Sequence, residues 1–132
     1  MTKKTLKVFV VDDSAIVRER LTTMLSEIEG VEIIGRAEDA LEATGLIRKL
    51  RPDAVILDIR LPNGSGINVL KTIKREQPAL VAIMLTLYPY AQYRQSCMKA
   101  GANFFFDKST GFEKIPAVLK QLIHKSTLEL AK

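Results

Sequence analysis

Short apolar runs recur along the whole chain and alternate with longer segments of different spacing. The runs occupy residues 6–11, 31–34, 54–57, 80–85 and 103–106. Three of them consist almost entirely of Val, Ile, Leu, Met or Phe, whereas a strand with one face in water alternates apolar and polar residues. Continuous runs are typical of strands buried on both faces. The pattern therefore predicts a parallel sheet.

The segments between these runs have helical period. Apolar residues share one helix face at Val17, Leu21, Met24, Leu25 and Ile28 in the first segment, and at Ile115, Val118, Leu119 and Leu122 in the last. Ser14 is placed to cap the first helix. Strand and helix thus alternate five times. This order predicts an α/β fold with right-handed crossovers and helices on both faces of the sheet.

The length of 132 residues suffices for one domain with its own core. We expect a single domain over residues 1–132, with its core at about residues 5–125, and no separate output domain. The first residues resemble neither a signal peptide nor a membrane span. The lone cysteine, Cys97, cannot form an internal disulfide. Both features favour a cytoplasmic protein.

The net charge of +5 raises the question of nucleic-acid binding. The basic residues are scattered, however, and most fall on helical positions beside acidic ones. We interpret them as solvated helix faces, so direct contact with nucleic acid or a membrane is not expected.

Polar residues stand at the ends of four of the five predicted strands. They are Asp12-Asp13 after the first strand, Asp58 after the third, Thr86 after the fourth, and Asp107-Lys108 after the fifth. Each alone is weak evidence, because Asp and Thr are common turn formers. The carboxyl ends of parallel strands share one sheet edge, where ligands of such folds bind. The coincidence predicts a functional site there.

Three converging carboxylates need compensation, since two charges about 4 Å apart repel by roughly 4 kcal/mol at an effective dielectric near 20. Oxygen ligands without His or Cys favour Mg²⁺ over zinc or copper. A carboxylate beside Mg²⁺, a lysine and a hydroxyl is suited to attack phosphorus and form an aspartyl phosphate. In this interpretation Lys108 neutralises the incoming phosphate and Thr86 donates a hydrogen bond to it.

These motifs resemble the receiver domain of two-component response regulators over nearly the whole chain, and chemotaxis regulators in particular. The matching segments are Val10-Val11-Asp12-Asp13-Ser14, Ile56-Leu57-Asp58-Ile59-Arg60-Leu61-Pro62-Asn63-Gly64-Ser65-Gly66, Thr86, and Ala100-Gly101-Ala102-Asn103-Phe104-Phe105-Phe106-Asp107-Lys108. The resemblance implies a flavodoxin-like, doubly wound three-layer sandwich. Its five-stranded parallel sheet would have strand order 2-1-3-4-5.

The resemblance also implies a role for each acidic residue. Asp58 would accept a phosphoryl group from a histidine kinase or a histidine phosphotransfer protein. Asp13 and Asp58 would bind Mg²⁺ directly together with the backbone carbonyl of Arg60, and Asp12 would act largely through a bound water. The domain would catalyse its own phosphorylation and slow dephosphorylation without being a metabolic enzyme.

Thr86 and Phe105 match the switch pair of the family, in which the hydroxyl moves toward the phosphate and the aromatic ring packs inward. Lys108 matches the family's lysine. The fourth helix, fifth strand and fifth helix would repack, and this face is commonly used for partners or dimerisation, so a homodimer through it is among the expected assemblies. A partner or an absent output domain would read the change. Asp107-Lys108-Ser109 resembles receivers attached to DNA-binding helix-turn-helix domains.

The chain departs from the family pattern at three positions. The residue after the switch threonine is usually small, but here it is Leu87, followed by Tyr88. Leu87 either narrows the route of small phosphodonors to Asp58 or turns aside onto the fourth helix. Ser109 replaces a frequent proline, so a cis peptide after Lys108 is less expected. For Arg60 a solvent-exposed side chain is favoured over pairing with an acid at the pocket mouth.

Other classes of function use some of the same residues. A haloacid-dehalogenase-type phosphohydrolase also has a strand-end Asp, Mg²⁺, a lysine and a threonine, but it needs a second acid where this chain has Arg60. A nucleotide-binding protein would need a glycine-rich phosphate loop after the first strand, which is missing. An interaction module that works without phosphorylation is the remaining alternative.

Overall fold

A computed structural model describes residues 5–130, with side chains up to residue 125. In chain order the elements are β1 (Leu6–Val11), α1 (Ala15–Ser26), β2 (Val31–Ala37), α2 (Ala40–Leu50), β3 (Ala54–Leu57), β4 (Arg60–Leu61), β5 (Gly64–Ser65), α3 (Gly66–Glu76), β6 (Val81–Thr86), α4 (Ala91–Lys99), β7 (Phe104–Asp107) and α5 (Lys114–Leu130). The predicted alternation of strands and helices is confirmed. The expected domain limits at residues 1 and 132 lie outside the described residues.

The main sheet within residues 5–130 has five parallel strands in the order β2-β1-β3-β6-β7. Counting only these strands, this is the expected order 2-1-3-4-5. The difference from the expectation is the short antiparallel pair β4-β5, which lies between β3 and α3. Strands of two residues are too short to show a periodic pattern, so the sequence did not predict them.

Side chains of the central strands alternate between the two faces of the sheet, and each face buries its own cluster. One cluster joins Phe9, Val11, Val55 and Leu57 to α2, α3 and α4 through Ile47, Leu70, Ile73 and Cys97. The other joins Val8, Val10 and Ile56 to α1 and α5 through Leu21, Leu25, Ile115 and Leu119. Complete burial of each Leu or Ile contributes about 1.5–3 kcal/mol. The core therefore fixes the strands, and with them the residues at the strand ends.

Serine side chains cap the first turns of α1 and α3. Ser14 accepts a hydrogen bond from the Val17 amide at 3.3 Å, which confirms the predicted cap of α1. Ser65 caps α3 in the same way through the Asn68 amide at 3.1 Å. These caps satisfy amide groups that a helix leaves without a partner. None of the helices in residues 5–130 combines the length and apolar character that a bilayer crossing requires.

Candidate functional site

Four adjacent strands bring the predicted polar residues to one edge of the sheet. Asp12 follows β1, Asp58 follows β3, Thr86 ends β6, and Lys108 follows β7. Backbone hydrogen bonds continue the ladder into this edge: the Asp58 amide donates to the Val11 carbonyl at 3.1 Å, and the Lys108 amide donates to the Thr86 carbonyl at 2.8 Å. The predicted convergence of the strand ends is therefore observed.

Lys108 lies between two carboxylates at the centre of this edge. Its Nζ is 2.6 Å from Asp12 Oδ2 and 2.9 Å from Asp58 Oδ2. All three residues are buried, with exposures of 8%, 1% and 6% for Lys108, Asp12 and Asp58. Asp13 is exposed, and carboxylate oxygens of Asp12, Asp13 and Asp58 lie within 4.8 Å of one another. One lysine thus faces a cluster of three acids.

The electrostatics of this buried group reflect competition between burial and pairing. Burial and, to a smaller extent, the charge of Asp12 raise the pKa of the Asp58 carboxyl despite the opposing hydrogen bond and charge of Lys108. For Lys108, burial alone would lower the pKa, but the hydrogen bonds and charges of Asp12 and Asp58 together raise it. Its neighbours therefore favour the charged form of Lys108. They only partly offset the cost of burying the charged form of Asp58.

The remaining oxygens of the two buried acids are held by neighbouring amides. Asp12 Oδ1 accepts from the Ser14 amide at 2.9 Å, and Asp58 Oδ1 accepts from the Ile59 amide at 2.7 Å. Gly66 packs so closely on the backbone of Asp58 that a Cβ there would collide with the Asp58 carbonyl oxygen. The glycine of the Gly64-Ser65-Gly66 motif therefore allows α3 to begin directly beneath Asp58.

Thr86 and Phe105 occupy neighbouring strands next to the acidic cluster. Thr86 is fully buried, and its Oγ1 accepts a hydrogen bond from the Tyr88 amide at 3.0 Å. Phe105 is 7% exposed, so its ring packs inward. The guanidinium of Arg94 on α4 lies 5.3 Å from the centre of that ring. Thr86 therefore connects to the β6-α4 loop, and Phe105 connects to α4 itself.

Arg60 and Leu87 lie near the acidic cluster and are both exposed to solvent. For Arg60 this is the environment that the sequence analysis favoured. The Arg60 guanidinium stacks on the ring of Tyr88 with its carbon 3.9 Å from the ring centre, which the sequence did not predict. Leu87 is 61% exposed, so most of its surface lies in water and not against α4. Whether Leu87 slows small phosphodonors stays a prediction.

Asp107 stands at the strand ends but does not join the acidic cluster. Its Oδ1 accepts hydrogen bonds from the Ser109 amide at 2.8 Å and the Ser109 hydroxyl at 2.7 Å. These bonds lower the pKa of Asp107. The peptide between Lys108 and Ser109 is trans, in agreement with the sequence. The turn after β7 is thus closed by Asp107 and Ser109, which leaves Lys108 directed into the pocket.

Arg18 is a residue at this edge that the sequence reasoning missed. Its Nη1 donates to the backbone carbonyl of Asp12 at 2.6 Å, and its Nη2 lies 3.5 Å from Glu38 Oε2. The signal was a long cationic side chain one helical turn after the cap Ser14. From sequence alone such a residue is indistinguishable from a solvated helix cation.

Known proteins resemble this chain in both sequence and fold. A family model described as the response regulator receiver domain matches residues 8–120. Response regulator GacA of Pseudomonas aeruginosa is 32% identical over 117 residues, which cover 89% of this chain and 55% of that protein. Protein-glutamate methylesterase/protein-glutamine glutaminase 4 of Hahella chejuensis is 36% identical over 132 residues, covering 97% of this chain and 34% of that protein. The chain therefore spans about half and about a third of these two relatives.

Solved structures give the same likeness. The response regulator domain of Thermotoga maritima CheB superposes with a TM-score of 0.79 at 30% identity, covering 92% of this chain and 96% of that one. CheY of Borrelia burgdorferi, solved in a complex with CheX, BeF3 and Mg²⁺, gives a TM-score of 0.76 at 28% identity, covering 87% and 90%.

Proposed function

Since this chain belongs to the response regulator receiver domain family, and is a phosphorylation-dependent signalling switch of a two-component system, we propose that Asp58 is its phosphoacceptor. The observation that carries the proposal is the position of Lys108 Nζ, 2.9 Å from Asp58 Oδ2 inside a cluster of three acids. A phosphoryl group on that oxygen would meet a cation already in place. The single domain is proposed to extend over residues 1–132, with its core at about residues 5–125.

A divalent cation fits the donor set around Asp58. The cluster offers carboxylate oxygens within 4.8 Å of one another, and oxygen ligands of this kind suit Mg²⁺. The Lys108 cation can offset only part of the charge of three acids. Asp13 and Asp58 would hold the ion with the Arg60 carbonyl, and Asp12 would act through a bound water. The ion would supply charge neutralisation for the phosphoryl oxygens. The BeF3 and Mg²⁺ in the complex with Borrelia burgdorferi CheY support this assignment.

The transfer step uses the chain's own residues for attack and charge balance. An Asp58 carboxylate oxygen forms the new bond to phosphorus while the nitrogen-phosphorus bond of a phosphohistidine donor breaks, and the imidazole leaves with the electron pair. Lys108 then pairs with a phosphoryl oxygen. Thr86 already accepts from the Tyr88 amide, so its own hydroxyl hydrogen can be donated to another phosphoryl oxygen. The only proposed catalysis is this self-phosphorylation and slow autodephosphorylation.

The signal would leave the pocket through Thr86 and Phe105. Movement of the Thr86 hydroxyl toward the phosphate would take the acceptor away from the Tyr88 amide and so disturb the β6-α4 loop. Phe105 and Arg94 connect the same change to α4. We propose that α4, β7 and α5 repack as a two-state element.

The proposed site also indicates which proteins would phosphorylate this domain and which surface would contact its output partner. The proposed phosphodonor is a histidine kinase or histidine phosphotransfer protein, and the α4-β7-α5 face is the proposed surface for output or homodimerisation. The proposed domain itself makes no contact with nucleic acid or membrane. Cys97 is a free, buried thiol, which supports the proposed cytoplasmic location.

Chemical phosphorylation tests the acceptor directly. The protein is incubated with Mg²⁺ and phosphoramidate, and intact mass and a phosphate-affinity gel report the product. We expect one acid-stable, base-labile phosphoryl group that is lost in Asp58→Asn and on removal of Mg²⁺ by EDTA. Asp107→Asn is the matched control, because Asp107 stands at the same strand edge and bonds instead to Ser109. Label that survives in Asp58→Asn would overturn the assignment.

Phosphoramidate labelling together with a phosphatase assay separates the alternative functions. A haloacid-dehalogenase-type phosphohydrolase would release phosphate steadily from p-nitrophenyl phosphate. Its second acid is replaced by Arg60, whose guanidinium contacts Tyr88. An interaction module without phosphorylation would take up no label. We expect neither result.

A further inference from the structure

Arg18 connects three segments around the acidic cluster. It belongs to α1, it donates to the Asp12 carbonyl in the β1-α1 loop at 2.6 Å, and it pairs with Glu38 in the β2-α2 loop at 3.5 Å. Only 18% of its side chain is exposed, whereas Glu38 keeps 64%. A long side chain loses rotamer entropy when it is held in this way, and its contacts must offset that loss.

The Asp12 carbonyl belongs to the peptide group that joins Asp12 to Asp13. The other groups of Asp12 are already engaged: its amide donates to the Ala37 carbonyl at 3.1 Å, and its carboxylate accepts from Ser14 and contacts Lys108. The bond from Arg18 therefore fixes the last free group of Asp12. A fixed peptide plane at this point fixes the position of the Asp13 Cα, from which the exposed side chain leaves the backbone.

We propose that Arg18 is a positioning residue for the cation site: it orients Asp13 by holding the Asp12 carbonyl, and thereby raises the affinity for Mg²⁺. This inference rests on the proposed function, in which Asp13 is a direct ligand. The planar guanidinium can engage the carbonyl and Glu38 at the same time, which a lysine ammonium on a flexible stem does less well. In the structure Nη1 engages the Asp12 carbonyl while Nη2 faces Glu38, so the two ends of the guanidinium have separate partners.

If Arg18 acted only through its charge, its removal would raise the affinity for Mg²⁺, whereas a positioning role predicts that its removal lowers this affinity. Loss of a positive charge near three carboxylates strengthens the attraction for a divalent cation. Loss of an oriented ligand weakens binding, and substitutions of outer-shell groups typically cost 10- to 100-fold in metal affinity. The sign of the change therefore distinguishes positioning from simple charge.

Isothermal titration of Mg²⁺ into the full chain measures this sign. For Arg18→Gln we expect the Kd for Mg²⁺ to rise by about tenfold, and for Arg18→Lys an intermediate rise. Arg20→Gln is the matched control, since Arg20 lies on the same helix but stacks on the Phe112 ring at 4.0 Å. We expect its Kd to stay unchanged or fall slightly. Circular dichroism and thermal unfolding without Mg²⁺ establish that each variant is folded.

Either of two results would overturn the inference. The first is a Kd for Mg²⁺ that is unchanged or lower in Arg18→Gln. The second is a rise in Arg20→Gln equal to the rise in Arg18→Gln. If Arg18→Gln does not fold, Arg18→Lys decides by the same criterion. Failure of the proposed function looks different: phosphorylation of Asp58 would be absent in the unsubstituted protein. Normal phosphorylation and Mg²⁺ binding there, with no effect of Arg18→Gln, would refute the inference alone.

Discussion

The guanidinium carbon of Arg60 lies 3.9 Å from the centre of the Tyr88 ring. The same guanidinium donates to the Tyr93 hydroxyl at 3.5 Å through Nη2. Arg60 begins the short hairpin after Asp58, Tyr88 lies two residues after Thr86, and Tyr93 is in α4. The Arg60 side chain therefore connects the segment after Asp58 with the β6-α4 loop and α4, the region that is proposed to repack.

The Arg60-Tyr88 contact should appear as a coupling free energy. At an exposed site a cation-π contact contributes about 0.5–1 kcal/mol. We expect a double-mutant cycle of Arg60→Ala and Tyr88→Leu, measured by urea unfolding, to give a coupling of that size. The control cycle pairs Arg60→Ala with Leu87→Ala, because Leu87 is adjacent in sequence but largely in solvent. Equal coupling in both cycles would contradict a specific contact.

The sheet and the polar strand ends could be predicted from the sequence because both depend on backbone periodicity. Continuous apolar runs identify buried parallel strands, and residues that follow such runs must share one edge. Asp12, Asp58 and Lys108 were found in this way. Once strand order is fixed, their meeting is a consequence of topology.

Contacts made by the ends of long side chains could not be predicted in the same way. Arg18 and Arg60 both carry a cation on a flexible stem, and its partner depends on loops that are distant in sequence. Asp107 shows a related limit of strand-end position as a signal: it stands at the same edge, but the nearby Ser109 satisfies its carboxylate. Local hydrogen bonds of this type compete with any distant site.

The turn after β7 should respond to pH through Asp107. The amide and hydroxyl of Ser109 lower the pKa of Asp107, so the unfolded chain binds the proton more tightly than the folded one. This contribution to stability is present above the unfolded pKa and is lost as pH falls through the folded pKa. Ser109→Ala removes the hydroxyl donor but keeps the amide.

We therefore expect Ser109→Ala to raise the pKa of Asp107 partway toward its ordinary value. It should also destabilise the protein at neutral pH but not below the folded pKa. Carboxyl-carbon NMR titration measures the pKa directly, and Thr110→Ala is the neighbouring control. An unchanged titration of Asp107 in Ser109→Ala would show that the hydroxyl bond does not act on it.

Two helical glycines should respond in opposite ways to alanine. Gly45 is exposed within α2, and a Cβ there would meet nothing within 4 Å. Gly45→Ala should raise the free energy of unfolding by about 0.5–1 kcal/mol, because alanine loses less backbone entropy. At Gly66 a Cβ would collide with the Asp58 carbonyl oxygen.

Gly66→Ala should therefore lower the free energy of unfolding by roughly 1–3 kcal/mol, as overpacking does. It should also slow phosphorylation, since the backbone of Asp58 must shift. Urea unfolding and phosphoramidate labelling of both variants test this pair. Slow labelling of Gly45→Ala would indicate a general effect of α2 and α3, and would remove the argument from close packing at Asp58.

Lys108 should stabilise the fold as well as serve the phosphoryl group. Removal of one partner from a buried ion pair leaves an uncompensated charge and typically costs about 3–5 kcal/mol. In Mg²⁺-free buffer at neutral pH we expect Lys108→Ala to lose stability on this scale. The exposed Lys120→Ala should lose less than about 0.5 kcal/mol. Addition of Asp58→Asn should restore part of the loss, because it removes one of the two orphaned carboxylates.

The stability lost in Lys108→Ala should depend on pH. Burial already raises the pKa of Asp58, and loss of Lys108 should raise it further. Protonation at lower pH neutralises the orphaned Asp58 carboxyl, so the deficit of Lys108→Ala relative to the unsubstituted protein should shrink as pH falls. Mg²⁺ should reduce the deficit at neutral pH by supplying the missing positive charge. A deficit that is independent of both pH and Mg²⁺ would mean that Lys108 stabilises the protein by packing of its stem and not by its charge.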